Sequence, residues 1–320
     1  MSKISILMSI FNESPRLIKE SVDSIVNQSF LDFECIIVVD NPQRTDVDRI
    51  IRDYNDSRLK VFKNKKNIGL ALSMNYAASL ASSDIFARMD ADDIADLSRL
   101  ELEYDIITHQ NVDVVFSNHT CIDMESKDIF NRNHDNANAG LVKSKEIALK
   151  PSMVHHPTVM MKRKVFERVG GYRDFPCAQD FDLWMRMQEN GASFFRIGQS
   201  LLKYRINPGS TTRTKYFKQQ LTMHYIYSLS IERLEYGKDT YSKENYEAYI
   251  QYRGVSSKPK ERRFLKALFL LKKAKRGGHV RRLLYRFLAY TISPRHREFY
   301  MMTRRKEKML DENISNNSKL

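Results

Sequence analysis

Residues 34–40 read ECIIVVD, a nearly unbroken run of apolar and β-branched side chains that stops on a carboxylate. Such a run fits a strand covered on both faces, as in a parallel sheet, better than the alternating pattern of a half-exposed one. The flanks repeat the theme. ISILMSI (4–10) is a shorter apolar run; Ser14 and Pro15 then supply a helix cap and a first-turn proline, and Leu17, Ile18, Val22, Ile25 and Val26 follow at helical spacing. Downstream the pattern predicts a helix over 46–54, a strand LKVF (59–62), a turn NKKNIG, an amphipathic helix LALSMNYAASLA (70–81) and a strand IFARM (85–89). Strand and helix alternating in this way predict an α/β fold with a mostly parallel open sheet flanked by helices. Ligands of such sheets bind at the carboxyl ends of the strands.

Two acidic elements fall at those ends. Asp40 closes the first quoted run, and IFARM leads straight into Asp90, Asp92 and Asp93, with Asp96 close behind. Like charges this close resist desolvation and require either water or a cation. Asp90 and Asp92 alternate on an extended turn, so their carboxylates point to one side. That suits a hard divalent cation, Mn²⁺ or Mg²⁺, which keeps positions open for diphosphate oxygens. Capping of the next helix is the alternative, because Asp is a favoured N-cap; Asp93 and Asp96 are assigned to that role.

Further along, the sequence predicts a helix over 98–110, a strand DVVFS, a mobile polar loop over 131–140 and a strand HHPTVMM (155–161). A short helix closed by Gly170 and Gly171, a helix over 179–191 and a strand SFFRI (193–197) follow. Asp180 and Asp182 open the 179–191 helix, where an acidic residue by itself is a first-turn charge. Trp184 lies one turn on and either stacks on a ligand ring or belongs to the core; His155 and His156 either line a substrate site or are structural.

The composition excludes several classes. With 42% apolar and 29% charged residues, the chain is neither disordered nor fibrous. Cys35, Cys121 and Cys177 are too far apart for a zinc cluster or a disulfide framework, which fits a reducing, cytoplasmic location. The N-terminal apolar run alternates with Ser and stops at Asn12, so it reads as a strand and not a signal peptide. No run approaches the roughly 20 apolar residues of a membrane span. The net charge of +14 is concentrated at one end: residues 251–320 hold 20 Lys and Arg against 5 Asp and Glu.

Taken together, ISILMSIFNESPRLIKESVDSIVNQSF, FECIIVVDN, NIGLALSMNYAASLASSDIFARMDADDIADLSRLE, HHPTVMMKRKVFERVGGYRDFPCAQDFDLWMRM and YRINPGSTT resemble the family 2 inverting glycosyltransferases, in that family's order and spacing. The resemblance implies a GT-A fold over 1–214 that binds a nucleotide sugar, with UDP as the nucleotide. It implies that Asp40 holds the base, that Asn12 and Asp90 contact the nucleotide, and that Asp90 and Asp92 form the metal-binding DxD pair. Asp180 matches the general base that deprotonates the acceptor hydroxyl, and Arg205, Asn207 and Ser210 match a segment near the diphosphate. His156 and Trp184 are carried as acceptor contacts.

Four residues depart from the family's pattern. Asn41 and Pro42 follow Asp40 in place of an Asp-Gly-Ser continuation, Gln179 replaces the usual Glu before Asp180, and Asn207 stands where a His is common. Loss of that Glu removes a charge that would raise the pKa of the base. No QxxRW-like motif follows Asp180, which argues against a processive polymer synthase.

From about residue 215 the pattern changes to basic amphipathic helices, assigned as a second region over 215–320. KALFLLKKAKR and HVRRLLYRFLAYTI either lie on an anionic membrane, beside a saccharide or lipid-linked acceptor, or pack on the catalytic region. The expected location is therefore cytoplasmic, with peripheral attachment to the inner membrane face, in assembly of a surface polysaccharide such as O-antigen or capsule. Nucleic-acid binding by the tail is the alternative from a different class, but no nucleic-acid motif accompanies it and it leaves the acidic cluster without a role. Nucleotidyl transfer also uses paired Asp and a metal, yet gives Asp180 no task.

Overall fold

The computed structural model describes residues 2–132, 139–150, 153–207, 215–275 and 279–317. The chain divides into two compact units, Met1–Pro208 and Gly209–Leu320.

In the first unit, β1 (Ile4–Ile10), β2 (Phe33–Val39), β3 (Leu59–Lys63) and β4 (Ile85–Asp90) are parallel, in the order β3-β2-β1-β4. Alternate side chains of the central strands go to opposite faces. Ile4, Ile6, Met8 and Ile10 of β1 join Cys35, Ile37 and Val39 of β2 in one core layer, whereas Leu7, Ile36 and Val38 enter the other. Helix α1 (Pro15–Val26) covers the first layer with Ile18, Val22 and Ile25; its N-cap is Ser14, whose hydroxyl accepts from the Leu17 amide. Helix α3 (Leu70–Leu80) covers the second with Ala71, Met74, Ala77 and Ala78. Each Ile or Leu so buried stabilises the fold by about 1.5–3 kcal/mol, and both layers depend on the unbroken apolar character of β2. Helix α2 (Asp46–Arg52) adds Val47, Ile50 and Ile51 to the first layer.

Beyond β4 the sheet is mixed, not mostly parallel. Strand β9 (Val159–Lys162) inserts antiparallel between β4 and β6 (Val114–Ile122), and β10 (Phe194–Arg205) returns parallel to β6. The short strands β5 (Ile94–Ala95), β7 (Asp128–Arg132) and β8 (Gly140–Val142) pair antiparallel with β10, β6 and β10. A short apolar run encodes burial and not direction, which is why β9 escapes a periodicity argument. Its start also differs from the expected 155: Pro157 has no N–H for a ladder, and His156–Thr158 form a 3₁₀ turn before the strand begins. Strand β10 is longer than SFFRI because register shifts between Ile197, Ser200 and Leu202 carry the ladder past Gly198.

Helices α4 (Arg99–His109), α5 (Ser144–Leu149), α6 (Arg163–Arg168) and α7 (Gln179–Glu189) complete this unit. Residues 131 and 132 of the segment expected to be a loop belong to β7, and 133–138 lie outside the described residues.

The second unit is helical: α8 (Tyr216–Tyr236), α9 (Lys243–Tyr252), α10 (Lys258–Lys275), α11 (His279–Ile292) and α12 (Pro294–Asn317). Lys306 is fully buried, donating to Ser230 Oγ at 2.6 Å, and His224 stacks on Phe299. Among the described residues no helix is long and apolar enough to cross a membrane.

Candidate active site

The parallel register of β1, β2 and β4 pairs Ser9 with Asp90 and Ile10 with Val39. It therefore brings the residues after each strand to one edge: Phe11–Glu13, Asp40, and Asp90–Asp93. Asp40 is 3% exposed and clasps the turn that leads into α3. Its Oδ1 accepts from Asn64 Nδ2 (2.8 Å) and the Ile68 amide (2.9 Å), and its Oδ2 accepts from the Gly69 amide (2.8 Å). Gly69 holds φ at +85°, a conformation that side-chain-bearing residues resist. Asn12 is exposed at the same edge, its Oδ1 accepting from Asn41 Nδ2 at 3.0 Å.

Asp90 ends β4, and its main-chain oxygen accepts from Ser21 Oγ at 3.0 Å. Its carboxylate pairs with the guanidinium of Arg88, which is buried and has no partner for Nε. The carbonyl of Arg88 is held in turn by Arg99 Nη2 at 2.8 Å, and Arg99 forms a wholly buried ion pair with Glu103 on α4.

Asp92 is pushed up to about 7 by burial first, then by the charges of Asp90 and Glu13. Glu13 is itself raised, chiefly by burial and further by Asp90. Asp93 is raised well above the usual carboxylate range, again by burial first and then by Asp92 and Asp90. It is 1% exposed, accepts the Arg205 amide at 2.7 Å through Oδ1, and leaves Oδ2 without a partner. Its assignment to helix capping is therefore corrected: Asp93 is a buried member of the acid cluster. Asp96 is what begins the next turn, accepting the amide and hydroxyl of Ser98 at 3.0 and 2.7 Å.

Arg205 also requires correction. Its side chain is fully buried and engaged by protein: Nε donates to the Asp92 carbonyl (2.7 Å), Nη1 to the Asp123 carbonyl (2.9 Å) and Ser126 Oγ (3.0 Å), and Nη2 to Glu20 (2.6 Å). It is a clamp on the backbone of the acidic turn and does not reach toward a diphosphate. Asn207 lies just beyond β10, partly buried, with its amide donating to the Arg205 carbonyl at 3.1 Å; Ser210 lies outside the described residues.

Helix α7 supplies the third acidic element. Ala178 takes a left-handed conformation (φ 57°) and turns the chain into the helix, which places Asp180 in its first turn. Asp180 is raised by burial above all; the amides of Phe181 and of Asp180 itself oppose this, Asp90 adds to it and Arg88 opposes it. The charge expected to be lost with Gln179 is thus supplied across the fold by Asp90. Asp182, two residues on, is fully buried and paired with Arg186 at 2.7 Å, which makes it structural.

His156 and Trp184 stand behind this edge and not in it. His156 is buried and shares a hydrogen bond of 2.7 Å with the Tyr172 hydroxyl; burial first, then Arg88 and His155, hold it well below the usual histidine range, so it is neutral. Trp184 is 1% exposed, packed edge-on to His156 and Phe194, and so is core and unable to stack on a sugar.

Glu13, Glu20 and Arg88 were not singled out from the sequence. Glu13 follows β1 as Asp40 follows β2, and that shared position is the signal that points to it. Among the described residues no three His, Cys, Asp or Glu side chains form a metal-holding set. The donors present, Asp90 and Asp92, are hard oxygen ligands whose mutual repulsion a divalent cation would relieve.

Much of the chain is similar to known proteins. The uncharacterized glycosyltransferase MJ1057 of Methanocaldococcus jannaschii is 33% identical over 225 residues, 69% of this chain and 77% of its own. The UDP-Gal:alpha-D-GlcNAc-diphosphoundecaprenol beta-1,3-galactosyltransferase of Escherichia coli is 29% identical over 220 residues, 66% of this chain and 77% of its own. The crystal structure of S. aureus TarS 1-349 in complex with UDP-GlcNAc superposes with a TM-score of 0.60 at 16% identity, over 78% of this chain and 70% of that one, and shares the fold. The model of glycosyl transferase family 2 matches residues 5–170, from β1 through the helix before Gly171, and the chain belongs to that family.

Proposed function

We propose that this family member is an inverting glycosyltransferase of the GT-A type, which moves a single sugar from a UDP-sugar to a hydroxyl of a saccharide carried on a lipid diphosphate. The observation that carries the reading is the placement of Asp180, in the first turn of α7, within the field of Asp90 at the end of β4, so that burial first and then the charge of Asp90 raise its pKa. The UDP-GlcNAc bound by TarS and the lipid-linked acceptor named for the E. coli galactosyltransferase support the choice of substrates.

The division of labour follows from chemistry. A sugar hydroxyl is a weak nucleophile at neutral pH, so a carboxylate with a raised pKa takes its proton as the new bond forms; Asp180 has that character. Attack at the anomeric carbon from the side opposite the leaving diphosphate, in one step, inverts the configuration. Asp40 receives the uracil ring N–H on Oδ2, which accepts a single internal bond, and Asn12 contacts the nucleotide. Asp90 and Asp92 would hold Mn²⁺ or Mg²⁺, which when bound neutralises charge on the departing nucleoside diphosphate. The enzyme works at the inner face of the membrane, where its acceptor lies, in surface-polysaccharide assembly.

The test is a screen of nucleotide sugars for metal-dependent hydrolysis or transfer, with Asp92→Ala and Asp180→Asn beside the wild type. Asp92→Ala is expected to weaken UDP binding in Mn²⁺. Asp180→Asn is expected to leave binding nearly intact and to lower turnover by about 10²–10⁴-fold. Transfer at the normal rate by Asp180→Asn would falsify the assignment of the base.

A further inference from the structure

The second unit leaves a set of large apolar side chains in water. On α11, Leu283 (55%), Leu284 (53%) and Phe287 (68%) are exposed together with Leu288, whereas Ala289 is fully buried. At 100° per residue those four span an arc of about 140°, with Arg281 just past one border and Arg286 past the other. Helix α11 has three Arg over 281–286 and no Asp or Glu. On its neighbour α10, against which it packs, Leu265 and Phe269 are exposed among Arg262, Lys266, Lys272 and Lys273, and Lys273 Nζ lies 4.6 Å from the centre of the Phe269 ring. Ala267 and Ala274 take the buried face of α10.

We propose that this hairpin, α10 with α11, is the surface by which the protein docks on an anionic bilayer. An exposed apolar arc bordered by cations matches a lipid interface in both respects: acyl chains accept the Leu and Phe side chains, and anionic headgroups meet the Arg and Lys rim. A protein groove requires neither the strong positive balance, opposed in α10 by Glu261 alone, nor the aliphatic breadth, and a nucleic acid gives Leu283, Leu284 and Leu288 no partner. At 14 residues α11 is too short to span hydrocarbon and is suited to lie in the interface plane. The inference deepens the reading of a lipid-linked acceptor, because it names the element that holds the enzyme at the surface where such an acceptor resides. It does not depend on the role of Asp180.

The experiment is flotation of the full-length chain with vesicles of phosphatidylglycerol and phosphatidylcholine (1:1), with vesicles of phosphatidylcholine alone, and a duplex-DNA binding assay at the same salt. Wild type is expected to float with the anionic vesicles and to partition weakly on neutral ones. Changing Arg281, Arg282 and Arg286 together to Gln is expected to lower partitioning by about 100-fold, at roughly fivefold per cation. Leu284→Ser with Phe287→Ser is expected to lower it by at least about tenfold. These side chains are exposed, so the variants keep the wild-type fold, checked by far-UV circular dichroism, and UDP binding by the first unit provides an independent control of the site. Partitioning unchanged by either variant overturns the proposal. So does duplex-DNA binding as tight as vesicle binding, or a concentration-dependent dimer that Phe287→Ser dissolves. Loss of vesicle binding with donor hydrolysis intact supports it, and absence of donor hydrolysis with vesicle binding intact counts against the transferase reading alone.

Discussion

Replacement of Arg205 by Met distinguishes a clamp from a phosphate ligand. The substitution keeps the aliphatic stem and removes the guanidinium, which takes a charged donor from the Asp92 and Asp123 carbonyls and from Ser126 Oγ in a partly buried place, although the Ser126 amide still serves the Asp123 carbonyl. A hydrogen bond to a charged group contributes about 1.5–3 kcal/mol, and such bonds on one side chain are not additive. Glu20, whose side chain is 26% exposed, regains water and limits the loss. Together these give a cost of about 4 kcal/mol, below the upper range for a fully buried broken pair. For a unit of about 200 residues that corresponds to roughly 8–16 °C in Tm. The chain has a single Trp, Trp184, buried in the first unit, so its fluorescence follows that unit's unfolding alone. The reasoning fails if Arg205→Met melts within about 2 °C of wild type by this signal while KM for the nucleotide sugar rises tenfold or more; Arg205 would then be meeting the diphosphate.

Three further outcomes follow from the same structure. Glu34, at the opposite end of β2 from Asp40, is buried, which by itself raises its pKa; the Lys60 ammonium and hydrogen bonds from Ser5 and Ser82 outweigh this and hold it at about 2, against an ordinary 4.5. The folded state therefore binds fewer protons than the unfolded one between those values, so this contribution is complete above 4.5 and is lost as the pH falls toward 2. Glu34→Gln should cost about 3 kcal/mol at pH 7 and flatten the urea midpoint in that acid range; an unchanged acid slope would refute it. Gly171→Ala should destabilise by about 2 kcal/mol, because φ is +67° and the new Cβ would meet Asn75 Oδ1 at 2.7 Å, the atom that also accepts the Tyr172 amide. Gly69→Ala meets nothing within 4 Å, so only backbone strain of about 1–3 kcal/mol remains, from a backbone conformation essentially confined to glycine; its signature should be a raised KM for the donor through Asp40, and an unchanged KM would contradict that link.

The sequence made the first half of the sheet legible because β1, β2 and β4 are buried on both faces and their apolar runs are long enough to distinguish from helix. Asp40 and Asp90 were legible for the same reason: each marks the place where such a run stops. What escaped was everything set by pairing. Strand β9 carries no mark of its antiparallel direction, Gly198 conceals the continuation of β10, and Pro157 turns an apparent strand start into a 3₁₀ turn. Arg205, read beside Asn207 as a ligand, has partners 79 to 185 residues away, and no local pattern reports bonds of that span.

The acid cluster follows the same logic and explains why a linear reading divides it wrongly. Asp90, Asp92 and Asp93 are consecutive enough to be noticed, yet Asp93 turns inward to the Arg205 amide while Glu13, 77 residues before Asp90, joins Asp90 in acting on Asp92. Asp180 shows the converse. Its neighbour Gln179 predicts a weaker base, because the adjacent charge is missing, but the quantity that matters is the field at the carboxylate and not the identity of the preceding residue. Burial in the first turn of α7 and the charge of Asp90 raise Asp180, and Arg88, which is ion-paired with Asp90, opposes that rise. Asp90 therefore acts on four carboxyl groups at once, Glu13, Asp92 and Asp93 at its own end of the sheet and Asp180 across the edge, so that under the proposed roles donor-side and acceptor-side chemistry would be coupled through one carboxylate whose position is fixed by β4.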